Sequence, residues 1–167
     1  MKVQILKELP INDNIIAADV FLGYVTKMSE SIEGLEPSLA LNLVLTTAEN
    51  MTKYTPQQVE PIFNTRKDML YQSKSGFMAL LQWFFSKRRM RRTTPNSVMD
   101  KNRLQQLSAL QITEKQAIGF LLLTANGLCF LTEQILVFEA ETHLLMRTVS
   151  QQEAESTYHQ LIQEKYS

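Results

Sequence analysis

Arg103-Leu104-Gln105-Gln106-Leu107-Ser108-Ala109-Leu110, then Gln111-Ile112-Thr113, then Glu114 through Asn126-Gly127-Leu128 is the stretch that decides the fold. Leu104, Leu107 and Leu110 share one helical face. Thr113 and Gln116 have the spacing of a capping box, which starts a second helix at a defined residue, and Asn126-Gly127 supplies a left-handed stop after it. Beyond the stop, Leu128-Cys129-Phe130-Leu131-Thr132 and Ile135-Leu136-Val137-Phe138-Glu139 have the β-branched and aromatic content of two wing strands joined through Glu133-Gln134. The order predicts a degenerate winged helix, helix-turn-helix plus short β-wing. Helix is the competing reading of the last part, because Ile135, Phe138, Thr142, Leu145 and Val149 also recur at helical spacing.

The second helix carries the functional argument. Ala117, Ile118, Leu121, Leu122 and Ala125 supply the single apolar stripe that a packed winged helix needs, which leaves Phe120 and Leu123 over. Such side chains left in water forgo about 1.5–3 kcal/mol each, so a second covering surface is expected, in a partner protein or in the N-terminal part of the chain. A DNA-reading helix would present polar residues to base edges and phosphates at its start. Here that start offers Glu114, Lys115 and Gln116, and Glu114 repels phosphate while suiting a helix N-terminus. Protein contact through Phe120, Leu123, Trp83 and Phe85 is the leading expectation.

Upstream, Asn14 is placed to cap a helix with Phe21, Val25, Met28 and Ile32 on one face, ending at Gly34. Pro37-Ser38 begins another, in which Leu39 to Leu45 is apolar on most sides and is expected to be the central buried helix of the first lobe. Thr55-Pro56 starts a third, limited soon after by Pro61. After Gly76, Phe77, Leu80, Leu81 and Phe84 share a face, with Trp83 and Phe85 off it. Thr93-Thr94-Pro95-Asn96-Ser97 is the best boundary, dividing a helical lobe, 1–95, from a winged-helix-like lobe, 96–167, unless the two make one compact unit. Ser150 with Glu153 opens a final helix whose face is Ala154, Tyr158, Leu161 and Ile162.

The chain has net charge zero, so bulk electrostatics name no partner. Locally, Lys87, Arg88, Arg89, Arg91 and Arg92, followed by Lys101 and Arg103, form a basic run. Three readings stay open for it: a solvated helix end complementing the macrodipole, a phosphate contact in a DNA- or RNA-binding regulator, or an anionic membrane surface with Trp83 at the interface. Homo-oligomerisation is open as well.

The apolar fraction of 44% with 20% charged, five Gly and five Pro favours a mainly α chain with a real core over disorder. The single cysteine, Cys129, excludes an internal disulfide framework and reads as a buried small hydrophobe in a reducing cytosol. Met1 to Lys7 lacks the apolar core of a signal peptide, and Ile118 to Phe138 is interrupted by Asn126, Gly127, Glu133 and Gln134, so a cytoplasmic protein without a transmembrane segment is expected. No catalytic residue, metal ligand or cofactor is expected. His143 and His159 have no zinc or hydrolytic spacing and read as surface or interface histidines, while Glu139 and Glu141 would share one face of a strand without an acid-base partner.

The start Asn12-Asp13-Asn14-Ile15-Ile16-Ala17-Ala18, the Glu33-Gly34-Leu35 break, the Leu41-Asn42-Leu43-Val44-Leu45 helix and the pattern Arg103, Leu107, Ile112-Thr113, Ala117-Ile118 follow one another in an order that resembles a known layout. It is similar to the middle component of three-component ABC-ATPase conflict systems, bacterial operons directed against invading DNA. The resemblance spans Asn12 to Thr132 and departs from the family at Thr46, where a proline is expected. It implies a non-enzymatic adaptor between an SMC- or RecF-like ATPase and an effector in antiviral defence. No functional residue is carried over by it.

Overall fold

A computed structural model describes residues 14–71, 103 and 106–167, with the side chains of 67–71 left aside. The protein is mainly α-helical, and the described residues include a two-stranded antiparallel sheet. In chain order it runs β1 (Ile15–Ala17), α1 (Ala18–Ser31), α2 (Pro37–Lys53), α3 (Pro56–Tyr71), a 3-10 turn (Leu107–Ala109), β2 (Gln111–Thr113), α4 (Glu114–Gly127), α5 (Thr132–Thr148) and α6 (Gln151–Tyr166).

Helix α4 is the centre of the molecule. A helix that is apolar all round has no face to offer water and is driven to the interior. Ala117-Ile118-Gly119-Phe120-Leu121-Leu122-Leu123 is such a run, and every residue of it is buried. Its start is fixed by the expected capping box: the Gln116 amide donates to Thr113 Oγ1 at 3.3 Å and the Thr113 amide to Gln116 Oε1 at 3.0 Å. The role expected of Leu39 to Leu45 falls to α4 instead. Helix α2 is amphipathic, burying Leu43, Val44, Thr47, Ala48 and Met51 while Leu39 faces solvent.

Two of the helix–helix contacts need glycine. A Cβ on Gly119 would lie 2.5 Å from the Val59 carbonyl oxygen, so the backbones of α3 and α4 meet here. A Cβ on Gly23 would lie 1.8 Å from the Ala154 carbonyl oxygen, which brings α1 and α6 equally close. Buried polar pairs fix the register of the centre, as where Asn50 Nδ2 on α2 donates to Thr124 Oγ1 on α4 at 2.9 Å and Thr124 Oγ1 donates to the Phe120 carbonyl at 2.8 Å. One contiguous apolar cluster draws on Phe21 and Val25 of α1, Leu43 of α2, Ile62 of α3, Phe120 and Leu123 of α4, Phe138 of α5 and Tyr158 of α6. The lobe boundary expected at residue 95 lies outside the described residues.

Several local expectations are corrected. The wing is absent from 132–148, which is helix: Gln134 Oε1 caps the Leu131 amide at 2.9 Å, and Ile135, Phe138 and Thr142 bury at helical spacing. That spacing outweighs the β-branched content of the segment. The described two-stranded sheet forms elsewhere, pairing Ile16 with Ile112, so the tight turn before α4 is a strand and Asn14 precedes a strand rather than capping a helix.

The left-handed residue after α4 is Cys129 (φ 63°), exposed, not Gly127. It closes a Schellman motif in which the Phe130 amide bonds the Ala125 carbonyl at 3.1 Å and the Cys129 amide the Asn126 carbonyl at 3.0 Å. Pro61 does not end its helix; it stands early in α3 on the exposed side, and the burial of Ile62 and Phe63 beside it carries the helix onward to Tyr71.

Candidate functional site

The charged interior lies along α5. Glu139 and His143 are one turn apart on it, and both are buried. Arg66 reaches them from α3, its Nε ion-paired with Glu139 Oε1, its Nη1 donating to the Phe63 carbonyl at 3.2 Å and its guanidinium 3.6 Å above the Phe63 ring. From the other side, Glu114 Oε1, at the first residue of α4, lies 2.8 Å from His143 Nδ1. His143 Nε2 is 3.7 Å from Glu139 Oε1, so each ring nitrogen faces a carboxylate. Gln116, two residues on, donates from Nε2 to Glu60 Oε2 at 3.2 Å and ties the same corner to α3.

Charge accounting explains the arrangement. With His143 protonated, two cations and two carboxylates sum to zero inside a low-dielectric interior, where an unpaired charge costs several kcal/mol. Burial by itself lowers the affinity of His143 for a proton, but the hydrogen bond to Glu114, the closeness of Glu139 and the charges of both outweigh it, and its pKa is raised above the ordinary 6.5. The same burial bears on chemistry. The imidazole, 2% exposed with each nitrogen facing a glutamate, joins α5 to α4, and Arg66 on Glu139 extends the tie to α3.

That clamp fixes the orientation of α5 and therefore of its other side. Leu136, Val137, Ala140 and Leu144 lie along one stripe, opposite the buried Ile135, Phe138 and Thr142. Leu136, Val137 and Ala140 are half-buried and Leu144 is 53% exposed, and among the described residues none of the four belongs to the core clusters. Leu131, just before the helix, is 64% exposed.

The residues expected to bind a partner fare differently. Phe120 and Leu123 are fully buried by the chain itself, so their apolar surplus is spent on the core and they offer no docking surface. The cause is that α4 packs on every side rather than along one stripe. Trp83, Phe85, Lys87, Arg88, Arg89, Arg91, Arg92 and Lys101 lie outside the described residues, while Arg103 is described and exposed. His143 is not the surface or interface histidine expected, because it is buried with Glu114 and Glu139 compensating its charge inside; His159 is exposed, in keeping with the same expectation. Glu139 and Glu141 do not share a face, since the segment is helix and only Glu139 turns inward to full burial. The signal for the network in the sequence was Glu139 and His143 at one-turn spacing within a run that also repeats as helix.

Comparison of the chain with protein-family models, with curated proteins and with solved structures found no match.

Proposed function

We propose that this protein is a non-enzymatic adaptor that binds another polypeptide along the outer stripe of α5. The observation that carries this reading is the exposed Leu144 at the end of a stripe of Leu136, Val137 and Ala140, on a helix whose inner side is locked by buried charges. Apolar side chains held on a rigid helix suit a helix-in-groove or helix-on-helix contact, in which residues three and four apart act as anchors. The partner proposed, on the resemblance of layout, is an SMC- or RecF-like ATPase that the adaptor links to an effector against foreign DNA, in the cytoplasm. In support of a protein working outside the bilayer, no helix among the described residues is long and apolar enough to cross a membrane.

The test is a paired capture from native extract, with wild-type protein and the Val137→Lys/Leu144→Gln variant as baits. Both replacements are good helix formers, so the fold is preserved. The expected result is an ATPase retained by the wild type and lost by the variant at equal melting temperature. Identical retention by both baits would remove this face as the docking surface.

A further inference from the structure

Asp19 stands in the first turn of α1, and although it is a carboxylate it is only 2% exposed. Its Oδ1 accepts from the Val20 amide at 2.9 Å. Its Oδ2 lies 3.4 Å from His159 Nε2, and Glu155 Oε1 lies 3.7 Å from that same nitrogen. His159 and Glu155 are one turn apart on α6, so the two helices bring three donor atoms together, all within 4.8 Å of one another.

The spacings are informative. Both exceed the usual N–H···O range of about 2.7–3.2 Å, and one ring nitrogen cannot point a single proton at two carboxylates. They are close to what ligands around one ion require: with metal–ligand bonds of about 2.0–2.2 Å, tetrahedral geometry sets neighbouring donor atoms about 3.4 Å apart. A second observation lies beside the cluster. The Tyr158 hydroxyl, on the residue next to His159, is 1% exposed and has no hydrogen-bond partner among the described residues.

We propose that Asp19, Glu155 and His159 form a zinc site that joins α1 to α6. One imidazole with two carboxylates suits Zn2+ better than Ca2+ or Mg2+, which favour all-oxygen shells. Three protein ligands leave a fourth position for water, on the side where the side chains of His159 and Glu155 are 56% and 48% exposed. The ion acts as a clamp on a contact already set by Gly23 against Ala154 and by Lys27 Nζ bonded to Glu153 Oε1 at 2.7 Å.

Zn2+ titrated calorimetrically into the tag-free full chain, in a Cys129→Ser background that removes the exposed thiol, tests this. The expected result is one Zn2+ per chain, with affinity reduced roughly tenfold or more in His159→Ala and in Glu155→Gln, a difference well resolved by calorimetry. Both residues are exposed, so the variants melt like the parent in EDTA, while added Zn2+ raises the melting temperature of the parent only. Co2+ in place of Zn2+ gives the intense visible bands of four-coordinate geometry in the parent and loses them in His159→Ala. Absence of binding, or binding that is equal in parent and His159→Ala, overturns the site.

Discussion

His143 Nδ1 and Glu114 Oε1 meet at 2.8 Å inside the protein, joining α5 to the first residue of the central helix. Because the imidazole also faces Glu139, its protonated form is favoured in the folded state over the unfolded one. A raised native pKa contributes stability that is fully present below the unfolded value of about 6.5 and is lost as pH rises through the native value. Urea unfolding is therefore expected to give a lower free energy at pH 8 than at pH 6, and His143→Gln should flatten that slope. A parent protein whose stability does not fall over this window would contradict the raised value.

Arg66 and Glu139 make the second half of the network, and its asymmetry is a prediction. Removing one partner of a buried ion pair strands the other charge, so Arg66→Met is expected to cost about 3–5 kcal/mol by urea unfolding. Arg66→Met combined with Glu139→Leu should recover much of that loss, since an apolar pair of similar volume has no charge to desolvate. A double variant as unstable as the sum of the singles would show that the charges add stability in their own right.

Gly23 and Gly119 are helix-interior glycines, at which alanine ordinarily stabilises by about 1 kcal/mol. Here the sign reverses, because the new methyl would meet the Ala154 carbonyl at 1.8 Å and the Val59 carbonyl at 2.5 Å. Gly23→Ala and Gly119→Ala are each expected to destabilise by about 1–3 kcal/mol or more, Gly23→Ala the more severely. Thermal melts of the two variants give the comparison.

Cys129 offers the opposite case. A side chain at φ 63° bears the left-handed strain that glycine escapes, and the Schellman closure of α4 needs that conformation. Cys129→Gly is expected to stabilise by about 1 kcal/mol, read as a higher urea midpoint with unchanged slope.

What could be read in the chain was what is local. Thr113 and Gln116 sit three residues apart and cap α4 as their spacing required, and Phe21, Val25 and Met28 bury along one face of α1. The segment after α4 was legible only as a choice: β-branched residues favoured a wing, whereas Ile135, Phe138 and Thr142 at helical spacing favoured the helix that forms. Phe120 and Leu123 are core rather than contact residues because helix α4 is apolar on every side and so belongs inside, where a single apolar stripe would have left them over. The candidate sites depend on partners far apart in sequence. Glu114 lies on another helix from His143, and Asp19 at the other end of the chain from His159, so no spacing rule could join them.

Helix α4 is the interior of the protein, and the outer stripe of α5 is the surface we propose it offers to a partner. The most direct measurement is urea unfolding of a matched pair, Phe120→Gln and Leu144→Gln. Phe120 is fully buried, so its loss together with a buried amide should cost more than about 3 kcal/mol, whereas Leu144→Gln should change stability by no more than about 0.5 kcal/mol. Near-equal effects, or a Phe120→Gln protein as stable as the parent, would contradict it.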